Sequence, residues 1–179
     1  MHFICFPRSW PLPDMVNAAL PGNIVEITKG NYGGPVLVSV RVAHAPTLPP
    51  GAAKPADRAQ WDAALARARR AGGDQALLIG PGGEVIDGAT ASVWIRSGDL
   101  LLTPPAPPAV AGVARSAIFD LAPALGMRAR EAPLTEADIT AAEEVFLSNA
   151  YAGVVTVRGR EGHAAPALDA LLWSGKAPG

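Results

Sequence analysis

Lysine is scarce in this 179-residue chain, confined to Lys29, Lys54 and Lys176. Cysteine is scarcer still. Cys5 alone excludes an internal disulfide, and its place in His2-Phe3-Ile4-Cys5-Phe6 reads as a small buried hydrophobe. The histidines, His2, His44 and His163, stand far apart with no ligand-like neighbour at helical spacing, so no metal site is expected. A net charge of −1 leaves no electrostatic footprint for nucleic acid or an anionic membrane. Arg67, Arg69 and Arg70, with no interleaved aromatics, therefore read as the wet face of a helix. No apolar run is long enough for a transmembrane helix, and no charged-then-apolar leader opens the chain. A cytoplasmic protein is the expectation. What is present, 49% apolar and 17% charged residues, suits one globular domain, or one with a small appendage.

Periodicity divides the chain. Ile24–Thr28 and Val36–Val42, rich in β-branched residues and separated by Lys29-Gly30-Asn31-Tyr32-Gly33-Gly34, read as a loose hairpin. A proline-rich connector follows. A helix is expected over Ala56–Ala71, with Trp61, Leu65 and Ala68 on one face and Gly72-Gly73 as its stop. Gln75–Ile79 and Glu84–Asp87 form one expected hairpin; Thr90–Arg96 and Leu100–Thr103, turning at Ser97-Gly98-Asp99, form another. Beyond the prolines of 104–108, a helix is expected from Val113 to Leu125, closed by Gly126. Thr135 with Asp138 three residues on reads as a capped helix start. Val145–Ser148 and Val154–Val157 are the last strands, and Pro166–Trp173 a weak helix. Trp61 and Trp94 fall at apolar-face positions and read as core.

Two residues carry the chemistry. Lys54 sits at the mouth of the first helix, and Asp87 lies 33 residues later where a strand enters a turn. A lysine amine that forms a Schiff base and a carboxylate that keeps a pyridine nitrogen protonated are the two fixed points of a pyridoxal phosphate site. The bland readings stand beside these: Lys54 as a solvated lysine, Asp87 as a turn former before Gly88. Gly112, Val113 and Ala114 open a helix, where unpaired N–H groups and the helix dipole favour an anion such as phosphate.

The ordered set Gln75–Ile79, Gly83–Trp94, Leu101–Pro105, Gly112–Arg115, Leu121-Ala122, Leu125-Gly126 and Glu144–Asn149 resembles the cofactor-binding domain of class IV (fold-type IV) pyridoxal-phosphate enzymes. These include branched-chain and D-amino-acid aminotransferases and 4-amino-4-deoxychorismate lyase. The resemblance implies an α/β (α+β in some schemes), D-amino-acid aminotransferase-like domain, a mixed-sheet pseudo-barrel with peripheral helices. It would span residues 47–179, preceded by a reduced N-terminal β segment over 1–46 as the remnant of the family's first domain. It implies Lys54 as catalytic Schiff-base lysine, with Arg58 completing the lysine–x–x–x–arginine spacing of the lyase branch. Asp87 would meet the pyridine nitrogen; Gly112, Val113, Ala114, Asn149 and Ala150 would surround the phosphate. Tyr151 would line the substrate side, and Lys29 stands where the family tends to have arginine. A small amino substrate (an amino acid or an aminated chorismate-type compound) and a homodimer are implied as well.

The departures are equally legible. Alanines replace the family's usual hydroxyl residues at 114 and 150, Asp87 is one methylene shorter than the usual glutamate, and Ser92 replaces the usual asparagine. A rival expectation follows from them: a non-catalytic descendant that has lost phosphate ligands and serves as a binding or structural domain.

Overall fold

Alternation along the strands decides the layering of this protein. The computed structural model describes residues 34–45 and 58–174. Cys5, the Ile24–Thr28 run and all three lysines, Lys54 included, lie outside the described residues. A three-stranded sheet, in the order β1-β2-β3, comprises β1 (Leu37–Arg41), β2 (Gln75–Ile79) and β3 (Val85–Gly88). A five-stranded sheet, in the order β6-β5-β4-β7-β8, comprises β4 (Ser92–Ser97), β5 (Leu100–Thr103), β6 (Arg128–Glu131), β7 (Glu144–Asn149) and β8 (Gly153–Thr156). Four α-helices accompany them among the described residues: α1 (Ala59–Arg70), α2 (Val113–Leu121), α3 (Glu136–Ala141) and α4 (Ala164–Trp173).

Successive strand side chains point to opposite faces, so each apolar strand feeds two cores. In β2, Ala76 and Leu78 join Trp61, Ala64 and Ala68 of α1 on the outer face of the smaller sheet. Leu77 and Ile79 point the other way, into a central core shared with Val93 and Ile95 of β4 and Val145 and Leu147 of β7. Trp94 and Phe146, from the same two strands, face outward beneath Ile118 of α2 and Leu168 of α4. The result is helix, sheet, sheet, helices. Strands buried on both faces explain why β2, β4 and β7 read as near-continuous apolar runs. Trp94 is fully buried, stacks on Phe146 at 6.0 Å and donates its indole N–H to Ser148 Oγ at 3.0 Å. Truncating such a side chain costs about 3–5 kcal/mol.

The mixed-sheet α/β architecture is the one the sequence implied. Two pairings were not. The expected hairpin of Val36–Val42 with Ile24–Thr28 lies partly outside the described residues; among the described residues β1 runs parallel to β2, with Leu37 opposite Gln75 and Arg41 opposite Ile79. Parallel neighbours need a crossover, and α1, which packs on both strands, lies between them in the chain. Likewise β6 runs parallel to β5, with α2 between them in the chain. β6 reads Arg-Ala-Arg-Glu and is largely exposed at the sheet edge, where charge replaces the apolar signal that marks central strands.

Boundaries otherwise fall close to expectation. After α2, a 3-10 turn over Ala122–Leu125 closes on Gly126 at φ +69°, a conformation glycine adopts without a Cβ penalty. Thr135 Oγ1 accepts the Asp138 N–H at 3.3 Å while Asp138 Oδ2 accepts the Thr135 N–H at 2.8 Å, the reciprocal cap that opens α3. The Thr135 hydroxyl, which donates to Asp138 Oδ2 at 2.7 Å, and then the Thr135 N–H hold the Asp138 carboxyl below its ordinary range.

Candidate active site

The end of β3, the start of β4, the end of β7 and the opening of α2 supply the candidate residues. Ser92 pairs with Ser148, so the first residue of β4 lies beside the penultimate residue of β7. Asp87, opposite Leu78 on the edge strand β3, is buried. Its Oδ1 accepts the Gly88 N–H at 3.0 Å and its Oδ2 accepts the Val110 N–H at 3.0 Å. Val110 stands two residues before Gly112, the N-cap of α2. One carboxylate therefore touches both the end of β3 and the approach to the helix start.

The chain after Asp87 is held from several sides. Gly88 donates its N–H to the Ala91 carbonyl at 3.0 Å, and a Cβ on Gly88 would collide with that same oxygen. Ala89 donates to the Ala76 carbonyl of β2 at 2.9 Å, and Gln75 Nε2 donates to Thr90 Oγ1 at 2.5 Å. Arg58, which precedes α1, donates from Nη2 to the Ala89 carbonyl at 3.0 Å. Its guanidinium also lies 5.8 Å from the Trp61 ring centroid. Asn149 donates to the Thr90 carbonyl at 3.4 Å while its Oδ1 accepts the N–H groups of Tyr151 at 2.9 Å and Ala152 at 2.6 Å. That single side chain folds the β7–β8 turn and ties it to the loop following Asp87.

The opening turn of α2 carries no side-chain cap. Its first N–H groups have no intrahelical acceptor by helix geometry, and the dipole adds partial positive charge there. Gly112 has φ −70° and ψ 146°, open to any residue, and a Cβ there would meet nothing nearer than Ser92 Oγ at 3.5 Å. Neither the backbone nor any neighbour among the described residues demands glycine at 112. Val113 is 64% exposed and Ala114 is buried. Arg115, buried one residue later, turns away to the Pro104 carbonyl at 2.8 Å and Glu131 at 2.7 Å.

Of the residues singled out in the sequence, Arg58 and Asp87 meet one loop, Gly112–Ala114 open the helix tied to Asp87, and Asn149 reaches the same loop from β7. Ala150 and Tyr151 occupy the exposed β7–β8 turn, with Tyr151 at 76% exposure. Lys54 and Lys29 lie outside the described residues. Sequence reasoning gave no site role to Val110 or Ala89, which act through backbone atoms, nor to Thr90, which uses both its carbonyl and its hydroxyl. Among the described residues no group of three His, Cys, Asp or Glu side chains gathers as a metal centre. Nor is any helix there long and apolar enough to cross a membrane.

Comparison with known proteins gives this geometry its context. The branched-chain-amino-acid aminotransferase of Escherichia coli strain K12 is 33% identical over 96 residues, 53% of this chain and 31% of that protein. The putative branched-chain-amino-acid aminotransferase of Methanocaldococcus jannaschii is 33% identical over 92 residues, 51% of this chain and 32% of that protein. The matched region thus spans about a third of these relatives' length. Among solved structures, the Escherichia coli branched-chain amino acid aminotransferase superposes with a TM-score of 0.72 at 25% identity, covering 80% of this chain and 52% of that one. A hypothetical aminotransferase from Mycobacterium tuberculosis, in its PLP-bound form, gives 0.68 at 23% identity, covering 80% and 57%. The family model for amino-transferase class IV matches residues 17–159, most of the length, and the chain belongs to that family.

Proposed function

We propose that this site binds pyridoxal 5'-phosphate and performs amino-group chemistry on a small amino substrate. Transamination is favoured over the lyase alternative because the relatives it resembles are named aminotransferases. The observation that carries the reading is the buried Asp87 carboxylate, bonded through Val110 to the approach of an uncapped helix start. An anion for the ring nitrogen and an anion-binding helix mouth are thereby joined in one structure.

The described residues fit the group at both ends. Asp87 is buried and ties the two segments together, and at Gly112, at the mouth of α2, a Cβ would meet no described residue's atom nearer than Ser92 Oγ at 3.5 Å. When bound, pyridoxal phosphate supplies an electron sink for the charge released at a substrate Cα. Lys54 is the residue assigned to hold it and to move the Cα proton. Asp87 balances positive charge on the ring nitrogen, and the N–H groups of Val113 and Ala114 receive the phosphate. Asn149 and Ala150 border that phosphate, Arg58 anchors the loop beside it, and Tyr151 borders the substrate side. The family resemblance also supports a homodimer, measurable by sedimentation.

A second reading has an observation of its own. Ala114 and Ala150 offer no hydroxyl, and two missing charge-assisted hydrogen bonds cost about 1.5–3 kcal/mol each. A non-catalytic binding domain would tolerate that loss. Absorbance after incubation with pyridoxal phosphate and desalting separates the two, run beside Lys54→Ala. A retained visible band that disappears in K54A is expected. No band in either protein would sink the cofactor reading and leave the binding domain.

A further inference from the structure

We propose that Asp87 is a positioning residue for the phosphate end of the site, quite apart from any contact with a cofactor ring. Its consequence for ligand binding rests on the cofactor reading above; the anchoring itself does not. The carboxylate is buried, and each of its oxygens accepts a backbone N–H: Gly88 on its own strand and Val110 in the segment leading to α2. Between the end of β5 at Thr103 and the first residue of α2 at Val113, the chain is irregular and proline-rich. Such a segment has few backbone donors with which to fix itself, because proline has no N–H and the strand pairing has ended. Val110 N–H to Asp87 Oδ2 is one of the bonds that fix it, and Gly112 N–H to the Val110 carbonyl at 2.8 Å carries the constraint on to the N-cap.

The shorter side chain is what permits this. An aspartate places its oxygens one methylene nearer its own backbone than a glutamate does. From β3 that reach meets the Gly88 and Val110 amides at 3.0 Å each. A glutamate at 87 would carry its carboxylate beyond this position. The residue that balances charge at one end of the site thereby sets the distance to the anion-binding helix at the other. Movement of Val110 shifts Gly112 and with it the first amides of α2. Loss of the anchor therefore weakens phosphate recognition specifically, because the helix-start amides act on an anion only when they converge on it.

The test uses the full chain without cofactor and two variants, Asp87→Asn and Asp87→Glu. Amide hydrogen exchange at Val110 is followed by NMR relative to Ile118 in the core of α2, so that a general loss of stability cancels. In parallel, the affinity for pyridoxal phosphate is compared with that for pyridoxal, which lacks only the phosphate. Val110 exchange is expected to accelerate roughly tenfold or more in D87E, the scale of one lost charge-assisted bond, and less in D87N, whose amide oxygen still accepts. The preference for pyridoxal phosphate over pyridoxal should shrink in parallel. D87E separates the two roles, because it keeps a carboxylate for the ring while moving it off Val110. Unchanged Val110 protection in a folded D87E protein would overturn the proposal. Absence of any cofactor binding by the wild-type protein would sink only the cofactor reading, since the exchange measurement is made without cofactor and still decides the anchor.

Discussion

Glutamine at position 144 should unfold this protein at a markedly lower temperature, although Glu144 touches none of the candidate site residues. Glu144 opens β7 and is fully buried. Its Oε2 accepts from Arg96 Nε at 3.0 Å and from the Ala164 N–H at 3.1 Å, and its Oε1 accepts the Ala165 N–H at 2.8 Å. The carboxylate thus binds β4 and caps α4 at once, with its charge at the positive end of a helix. Glutamine keeps one acceptor oxygen and places an NH2 where the other stood. That NH2 then faces an N–H donor, and a surviving bond from the Ala164 or Ala165 amide loses its charge assistance, roughly half its strength. Leaving a buried donor without a partner costs about 1–3 kcal/mol, and breaking a buried ion pair about 3–5 kcal/mol. Arg96 keeps Glu143 at 2.8 Å and the Gly98 carbonyl at 2.9 Å, which places the expected loss for E144Q near the lower end, about 3 kcal/mol. Against a total of about 5–15 kcal/mol that is a large fraction. For a chain of this size it lowers Tm by about 6–12 °C. Urea unfolding and thermal melts measure it directly. Replacing both partners with apolar residues, R96M with E144L, should recover little, because the Ala164 and Ala165 amides would remain buried without an acceptor. An E144Q protein within about 1 kcal/mol of wild type would refute this account of the β4–β7–α4 junction.

Two further perturbations test the site loop and the α3 cap. Gly88→Ala drives a Cβ into the Ala91 carbonyl oxygen, so the turn after Asp87 must open; a loss of about 2 kcal/mol in urea unfolding is expected, and a neutral result would mean the turn yields freely. Thr135→Ala removes the hydroxyl of the capping box and should cost about 1 kcal/mol at neutral pH. The Asp138 carboxyl is held below its ordinary range, first by that hydroxyl and then by the Thr135 N–H, so its contribution is complete above the unfolded value. It is lost as pH falls through the lower folded value. The gap between wild type and T135A should therefore narrow on acidification through the low-pH range, and a gap independent of pH would refute the assignment.

Local chemistry made much of the fold legible. β2, β4, β5, β7 and β8 were readable because apolar, β-branched runs end at glycine or polar turns. The start of α3 was readable because a capping box joins residues three apart in the chain. β6 was hidden because an edge strand with exposed arginines needs no apolar pattern, and the partner of β1 was hidden because a parallel pairing across α1 leaves no local mark. The site divided in the same way.

Residue type and order marked Asp87 and the Gly112 helix start, since a carboxylate at a strand end and a glycine before a helix are written in the chain, and the family resemblance marked Asn149. Which atoms they meet was decided only in three dimensions. Asp87 bonds the Val110 amide 23 positions away, and Asn149 bonds the Thr90 carbonyl 59 positions away. Backbone groups have the same chemistry at every residue, so no sequence pattern announces which of them a buried side chain will find. Only the packing of the strands, fixed by which faces are apolar, brings those particular amides and carbonyls within reach.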